Sequence, residues 1–275
     1  MSAPSPKTYE DIDWPALRAN AMQQKGWKSK GPEQWDKKAG SFAKRNKDSR
    51  YTSLFLEQLP LEKSCTVLDI GSGPGTLAIP IARHVERVTA LDFSARMLST
   101  LNSLAKEENI SNINTIQCSW EDDWEKLPLK PHDIAIASRS MGVENLPAAL
   151  EKINRYGRKY VFISDRIGAT PFDEHAFMAL GRDFRPGPDY IYTLNILYTL
   201  GIHANVTVLT LERRTTYENM EGALDSYRWM FNDLNSRELV LLEKYIDDST
   251  VEKKGDTITV ERKDPPRWAL IWWAK

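Results

Sequence analysis

Residues 67–76, Val-Leu-Asp-Ile-Gly-Ser-Gly-Pro-Gly-Thr, concentrate the chain's clearest chemistry. Gly71, Gly73 and Gly75 fall at alternate positions after an apolar run. Lacking a Cβ, such positions let the backbone take positive φ and lie against a ligand. A helix opening after the turn would aim unpaired N–H groups at that ligand. Asp69, at the end of the apolar run, suits a ligand that carries a cation. A second acid, Asp92, ends the next apolar run, 19 residues after Gly73. An acid at that distance accepts from ribose hydroxyls in nucleoside-binding sheets. A diol offers two donors side by side, and a carboxylate offers two acceptors. Capping of the next helix is the competing role, since Ser94 follows. The turn is not the dinucleotide fingerprint, because position 76 is Thr instead of a third glycine. Nor is it a P-loop, because no G-K-[ST] follows.

Those residues need a sheet to hold them. Strand-like runs at 66–70, 88–92, 114–118, 133–138 and 159–165 alternate with helical patterns at 76–87, 94–108 and 146–155. Five alternations in order predict a doubly wound α/β fold. The run Asp-Ile-Ala-Ile-Ala-Ser at 133–138 is nearly continuous in apolar residues, as a strand covered on both faces should be. Further strands are expected at 205–213, 257–262 and 268–274, the last reading Trp-Ala-Leu-Ile-Trp-Trp-Ala. Residues 166–190 read as loop, residues 190–201 as a tyrosine-rich helix, and 221–233 and 236–246 as amphipathic helices. Ahead of the sheet, Asp13 should cap a helix whose apolar face is Leu17, Ala21 and Met22. Trp35, Ala39 and Phe42 fall at i, i+4 and i+7 of a second helix. A third helix is expected over 51–59, with Leu54, Phe55 and Leu59 inward. The expected division is a helical lid at 1–60 and an α/β domain at 61–275, with a helical insertion at about 217–250.

The glycine turn, Asp92 and the run Asp-Phe-Ser-x-x-Met-Leu at 92–98 together resemble motifs I and II of the class I S-adenosylmethionine (SAM) methyltransferases. The run from Trp35 to Phe42, W-D-x-x-A-x-x-F, is similar to the N-terminal lid helix of small-molecule members. The resemblance covers residues 33–165 by motif and rests on strand order beyond 205. It implies a SAM-dependent methyltransferase with SAM as cofactor, built on a seven-stranded, mostly parallel sheet. The last strand would run antiparallel between strands five and six. By role, the resemblance implies Asp69, Gly71, Ser72, Gly73, Gly75 and Thr76 at the methionine end. Asp92, Phe93 and Met97 would meet the ribose, and Ser119, Trp120 and Glu121 the adenine; for Trp120 a core position is the equal alternative. Ser138 and Arg139 would lie near the methyl, and Trp35 and Phe42 would cover the mouth. The exit of strand four, Arg139-Ser-Met-Gly142, lacks the [DN]-P-P-[YFW] of amino-methyltransferases acting on nucleic-acid bases. Asp264-Pro-Pro-Arg267 departs from that pattern in its fourth residue and in its place. An NAD-linked Rossmann oxidoreductase and a non-catalytic SAM-binding protein are the alternatives. Thr76 and the antiparallel ending weigh against the first.

The chain has 275 residues, 41% apolar and 27% charged, with a net charge of −1. No broad basic footprint for nucleic acid follows from that balance. Between Lys25 and Arg50, nine Lys/Arg stand against three Asp/Glu. That stretch reads as a solvated face or as a basic rim for an anionic substrate. Two cysteines are too few for a disulfide scaffold, and no metal-ligand spacing occurs. No apolar run reaches membrane-span length, and no leader pattern opens the chain, so a cytoplasmic protein without membrane or nucleic-acid partners is expected. The additions on the second half of the sheet place the acceptor there. Arg166, Tyr190, Tyr192 and Asn195 are expected to line a pocket for a compact, partly aromatic or anionic small molecule. No residue declares itself as a general base; His203, Tyr190 and Tyr192 are the candidates.

Overall fold

In a computed structural model, residues 8–27, 31–36, 40, 49–231 and 233–275 are described. Ten strands are described among them: β1 Thr66–Ile70, β2 Arg87–Asp92, β3 Ile113–Gln117, β4 His132–Ser138, β5 Gly157–Arg166, β6 Asn205–Thr210, β7 Arg214–Tyr217, β8 Thr250–Lys254, β9 Thr257–Glu261 and β10 Arg267–Ala274. Seven of them form one sheet in the order β3-β2-β1-β4-β5-β10-β6. β1 pairs in parallel with β2 and β4, β2 with β3, and β4 with β5. β10 runs antiparallel to both β5 and β6. The fold is the expected doubly wound α/β sheet with an antiparallel last strand.

The alternation along each strand sends its side chains to two separate cores. Leu68, Ile70, Ala135 and Ala137 pack under the helices Leu146–Tyr156 and Tyr190–Thr199. Val67, Val88, Ala90, Ile134 and Ile136 pack under Arg50–Leu56, Ala78–Ala82 and Ala95–Glu107. Ser94 caps the last of these by accepting from the N–H of Met97 at 3.0 Å. Strands β1 and β4 are buried almost throughout, which is why their sequences carry so few polar residues.

Two expectations need correction. The strand expected at 205–213 leaves the main sheet at Thr210, and the chain then starts a second sheet of order β7-β9-β8. The insertion is therefore not only helical: Met220–Arg228 and Ser236–Asp248 pack with this sheet and with the helix Glu174–Ala179 around Phe177, Tyr227, Leu242 and Val260. β8, Thr-Val-Glu-Lys-Lys, is largely exposed and shows no apolar alternation, so its sequence gave no strand signal. The first N-terminal helix, Trp14–Gln24, begins at Asp13 as expected, but Leu17 is 45% exposed while Arg18 is only 6% exposed. Arg18 turns inward because its guanidinium donates to the carbonyls of Met141 at 3.1 Å and Glu144 at 3.3 Å. Ala39 and Phe42 of the second helix lie outside the described residues; Pro32–Asp36 are helical. Among the described residues no helix is long and apolar enough to cross a membrane.

Because β10 is hydrogen-bonded on both sides and Trp273 is buried with its indole N–H on Asn154, removal of residues 267–275 should prevent cooperative folding. Loss of one buried Trp alone costs about 3–5 kcal/mol. Circular dichroism and thermal melting check this: a truncated protein with a native spectrum and a sharp melt would show that the strand is peripheral.

Candidate active site

At the carboxyl ends of β1 and β4 the strand order reverses, and a crevice opens at such a switch point. Here it is a cavity of about 850 Å³. One half is walled by the turn after β1 and the exits of β2 and β3. The other is walled by the exit of β5, the N-terminal helix, the segment 171–189 and the insertion.

In the first half, the turn's glycines divide their work. Gly73 has φ 55° and nothing within 4 Å of where a Cβ would stand, so its bare backbone faces the cavity. Gly75, at φ 89°, would push a Cβ to 2.9 Å from Leu101. It serves helix packing and does not line the cavity, whereas Gly71, Ser72, Gly73 and Thr76 do. Asp69 is 1% exposed, and its Oδ2 is buried without a hydrogen-bond partner among the described residues. Burial first, and the nearby Asp92 carboxylate second, push its carboxyl up to about 7. Asp92 is held by two backbone donors, Gly73 N–H on Oδ2 at 2.8 Å and Ser94 N–H on Oδ1 at 2.9 Å. Each oxygen keeps a lone pair for another donor. Asp92 therefore both locks the turn and presents an acceptor edge, so the capping and ligand roles are compatible. Phe93 and Met97 line the cavity beside it, and so does Trp35. The next residue, Asp36, accepts from the Ser94 hydroxyl at 2.5 Å, which seats the Pro32–Asp36 helix over this half. Phe42 lies outside the described residues.

Ser119, Trp120 and Glu121 form the far wall. Trp120 stacks on Trp124 at 5.3 Å between centroids and donates its indole N–H to Ser140 O at 3.1 Å. It is at once wall and core. The floor is built by Ser138, Arg139 and Ser164. Beneath them the buried Tyr51 hydroxyl lies 2.7 Å from Ser138 Oγ and 2.5 Å from Ser164 Oγ. Arg139 sits at φ 57°, a conformation that a residue with a Cβ adopts rarely and often at functional sites. Its guanidinium lies 4.2 Å from the Tyr51 ring centroid. Tyr51 and Ser164 gave no motif in the sequence, and the inward residues expected of the helix at 51–59 did not include Tyr51.

The second half holds Arg18, Met22, Trp27, Asp165, Arg166, Phe172 and Trp229. Of the four expected acceptor residues, only Arg166 is here. Tyr190, Tyr192 and Asn195 are not brought to the cavity. The N-terminal segment covers their face of the helix: Trp14 packs edge-on against Tyr192 at 6.4 Å, and Tyr9 donates to Asn195 Oδ1 at 2.5 Å. Tyr190 packs against the core. His203 packs on Tyr198 and lies away from the cavity, so none of the three base candidates reaches it. Arg18 had no motif to mark it. Among the described residues no cluster of His, Cys, Asp or Glu could hold a metal.

Residues 67–159 match a family model described as a methyltransferase domain. An uncharacterized protein of Haemophilus influenzae is 34% identical over 245 residues, which are 88% of this chain and 89% of that protein. The chain belongs to the class I SAM-dependent methyltransferases. Solved structures agree on the fold. YcgJ of Bacillus subtilis superposes with a TM-score of 0.56 at 16% identity, covering 82% of this chain and 97% of that one. YjhP of E. coli does so at 0.52 and 16% identity, covering 83% and 94%. SAM carries a sulfonium and an ammonium, and the cavity offers a buried carboxylate oxygen with no partner among the described residues, a bare glycine and a fixed acid. These acceptors fit the cofactor.

The Asp69 carboxyl yields a pH signature for the methyltransferase free of cofactor. Its folded value, about 7, lies above the ordinary 3.8. Its contribution to stability is then complete below about pH 4 and is lost as pH rises through 7. The melting temperature of wild type relative to Asp69→Asn should therefore fall between pH 5 and pH 8. Parallel melting curves for the two proteins over that range would show that Asp69 titrates normally.

Proposed function

We propose that this methyltransferase moves the SAM methyl group to a small-molecule acceptor held in the second half of the cavity. The observation that carries the reading is the cavity itself. It is continuous from the Asp69–Asp92 wall to a wall of Trp27, Phe172 and Trp229, and Trp27 reaches it from the N-terminal segment. A site covered in this way suits a compact molecule better than a polymer. Residues 1–60 act as its lid and 61–275 as the catalytic domain, the insertion contributing Ser226, Trp229 and Met230 to the acceptor wall. Both cysteines are free and buried, which supports a reducing, cytoplasmic setting.

When bound, SAM supplies a methyl group already activated on sulfur, so the protein's work is mostly placement. Holding two reactants in line is worth roughly 7–11 kcal/mol. In this assignment Asp69 Oδ2 accepts from the methionine ammonium, and Gly71 and Gly73 let the backbone approach it. Ser72 and Thr76 complete that end. Asp92 accepts from the ribose hydroxyls, its orientation set by Gly73 and Ser94. Phe93 and Met97 pack beside the sugar, while Ser119, Trp120 and Glu121 frame the base. Trp35 closes the mouth. Ser138, Arg139 and Ser164 form the floor, and Tyr51 holds the two serines in place.

The test uses radiolabelled SAM with a cell extract divided by size. Label should enter molecules below about 1 kDa in wild type. Asp92→Ala should weaken cofactor binding by about 2–4 kcal/mol, the scale of a lost hydrogen bond to a charged group plus its desolvation. Trp229→Ala should retain cofactor binding and lose transfer. Label confined to protein or RNA would sink the small-molecule reading, and unchanged affinity in Asp92→Ala would place the ribose elsewhere.

A further inference from the structure

The floor of the cavity carries one hydroxyl proton more than its own contacts use. Ser138 and Ser164 stand opposite each other in the register of β4 and β5, and both line the cavity. The Tyr51 hydroxyl bridges them, 2.7 Å from Ser138 Oγ and 2.5 Å from Ser164 Oγ. Three hydroxyls thus meet in two contacts. Tyr51 is 2% exposed, and burial raises its pKa, so the phenol keeps its proton at neutral pH. Each hydroxyl carries one proton, and each contact uses one. One proton is therefore left with no partner among the described residues.

Few places can hold that proton. If both serines donated to the phenol oxygen, the phenol O–H would be buried with nothing to accept it, which is costly. Tyr51 therefore donates to one serine and accepts from the other, and the spare proton belongs to a serine. Ser164 Oγ also accepts from the Arg139 backbone N–H at 3.0 Å. If Tyr51 donates to Ser164 as well, both lone pairs of that oxygen are used and its own proton is the spare one. If Tyr51 donates to Ser138, the spare proton is on Ser138, the less buried of the two. In both arrangements the chain ends on a serine that lines the cavity, so the floor presents one hydroxyl donor there. The strand order reverses between β1 and β4, and the two serines lie on β4 and β5, on the side away from the glycine turn.

We infer that the acceptor is an aromatic molecule docked by an oxygen, a phenol or an aryl carbonyl, which accepts the spare proton of the Ser138–Tyr51–Ser164 chain. The inference rests on the small-molecule reading above and names its substrate class. An oxygen of this kind has two lone pairs, so it accepts here and keeps one free. A ring amine has a single lone pair, delocalised into the ring, and accepts poorly. The ring follows from the walls. Trp27, Phe172 and Trp229 line the cavity, and so does Trp268, which packs edge-on against Tyr51 at 5.8 Å between centroids. Such surfaces gain from a further ring set offset or edge-on. The spare hydroxyl holds and orients the molecule; no proton is moved along the chain.

The probes are phenol, aniline and toluene, three neutral molecules of one size, titrated into the full chain saturated with S-adenosylhomocysteine and followed by NMR. Phenol should bind saturably and about fivefold more tightly than either of the others, the worth of one net hydrogen bond. The variant Tyr51→Phe/Ser138→Ala/Ser164→Ala removes every member of the chain and leaves no buried hydroxyl unpaired, a replacement that is close to neutral for folding. In it phenol should fall to the level of toluene, with affinity for S-adenosylhomocysteine held within about threefold. Lack of saturable phenol binding, equal binding of aniline or toluene, or a phenol preference that survives the triple substitution would each overturn the inference. So would a larger loss of S-adenosylhomocysteine affinity in the variant, which would put the spare proton on the cofactor. The wild-type comparison needs no variant to fold. It also needs no turnover, so a macromolecular acceptor found by methyl labelling would defeat the small-molecule reading separately.

Discussion

The site depends on a carboxylate placed where water cannot reach it. Asp69 lies near the carboxyl end of β1, an interior strand of the sheet, and its Oδ2 has no partner among the described residues. Leaving such an oxygen unsatisfied is costly, and a second carboxylate, Asp92, stands close enough to raise its pKa further. The cofactor-free fold carries that cost because the rest of the sheet overdetermines the strand: β1 is bonded on both sides and packs into both cores. A cationic ligand would relieve it.

At the exits of β1, β2 and β3, acids line the cavity; arginines line it at the exits of β4 and β5 and on the N-terminal helix, beside Asp165 and Asp189. Tyr51, on the helix Arg50–Leu56, links β4 to β5 under the floor by hydrogen bonds with Ser138 and Ser164.

Much of the sheet was legible because burial on both faces leaves a composition that nothing else explains. The runs at 66–70 and 133–138, and the final Trp-Ala-Leu-Ile-Trp-Trp-Ala, are of that kind; the place of the last strand between strands five and six came from the family resemblance. The second sheet was not legible, since β7 and β8 are exposed and their residues do not alternate. The glycine turn and Asp92 could be read from spacing alone. The acceptor side could not. Tyr190, Tyr192 and Asn195 shared a helix with a polar stripe, but which part of the chain covers that stripe is a tertiary fact, and the cover is Tyr9 and Trp14. Arg18 reads as a solvated helix residue until the carbonyls of Met141 and Glu144 are placed beside it.

A crystal structure of the full chain with S-adenosylhomocysteine tests the central claim most directly. The account predicts the amino group of the ligand within hydrogen-bond distance of Asp69 Oδ2 and the ribose hydroxyls on Asp92. A nucleoside lying elsewhere in the cavity, or an amino group held away from Asp69, would contradict it.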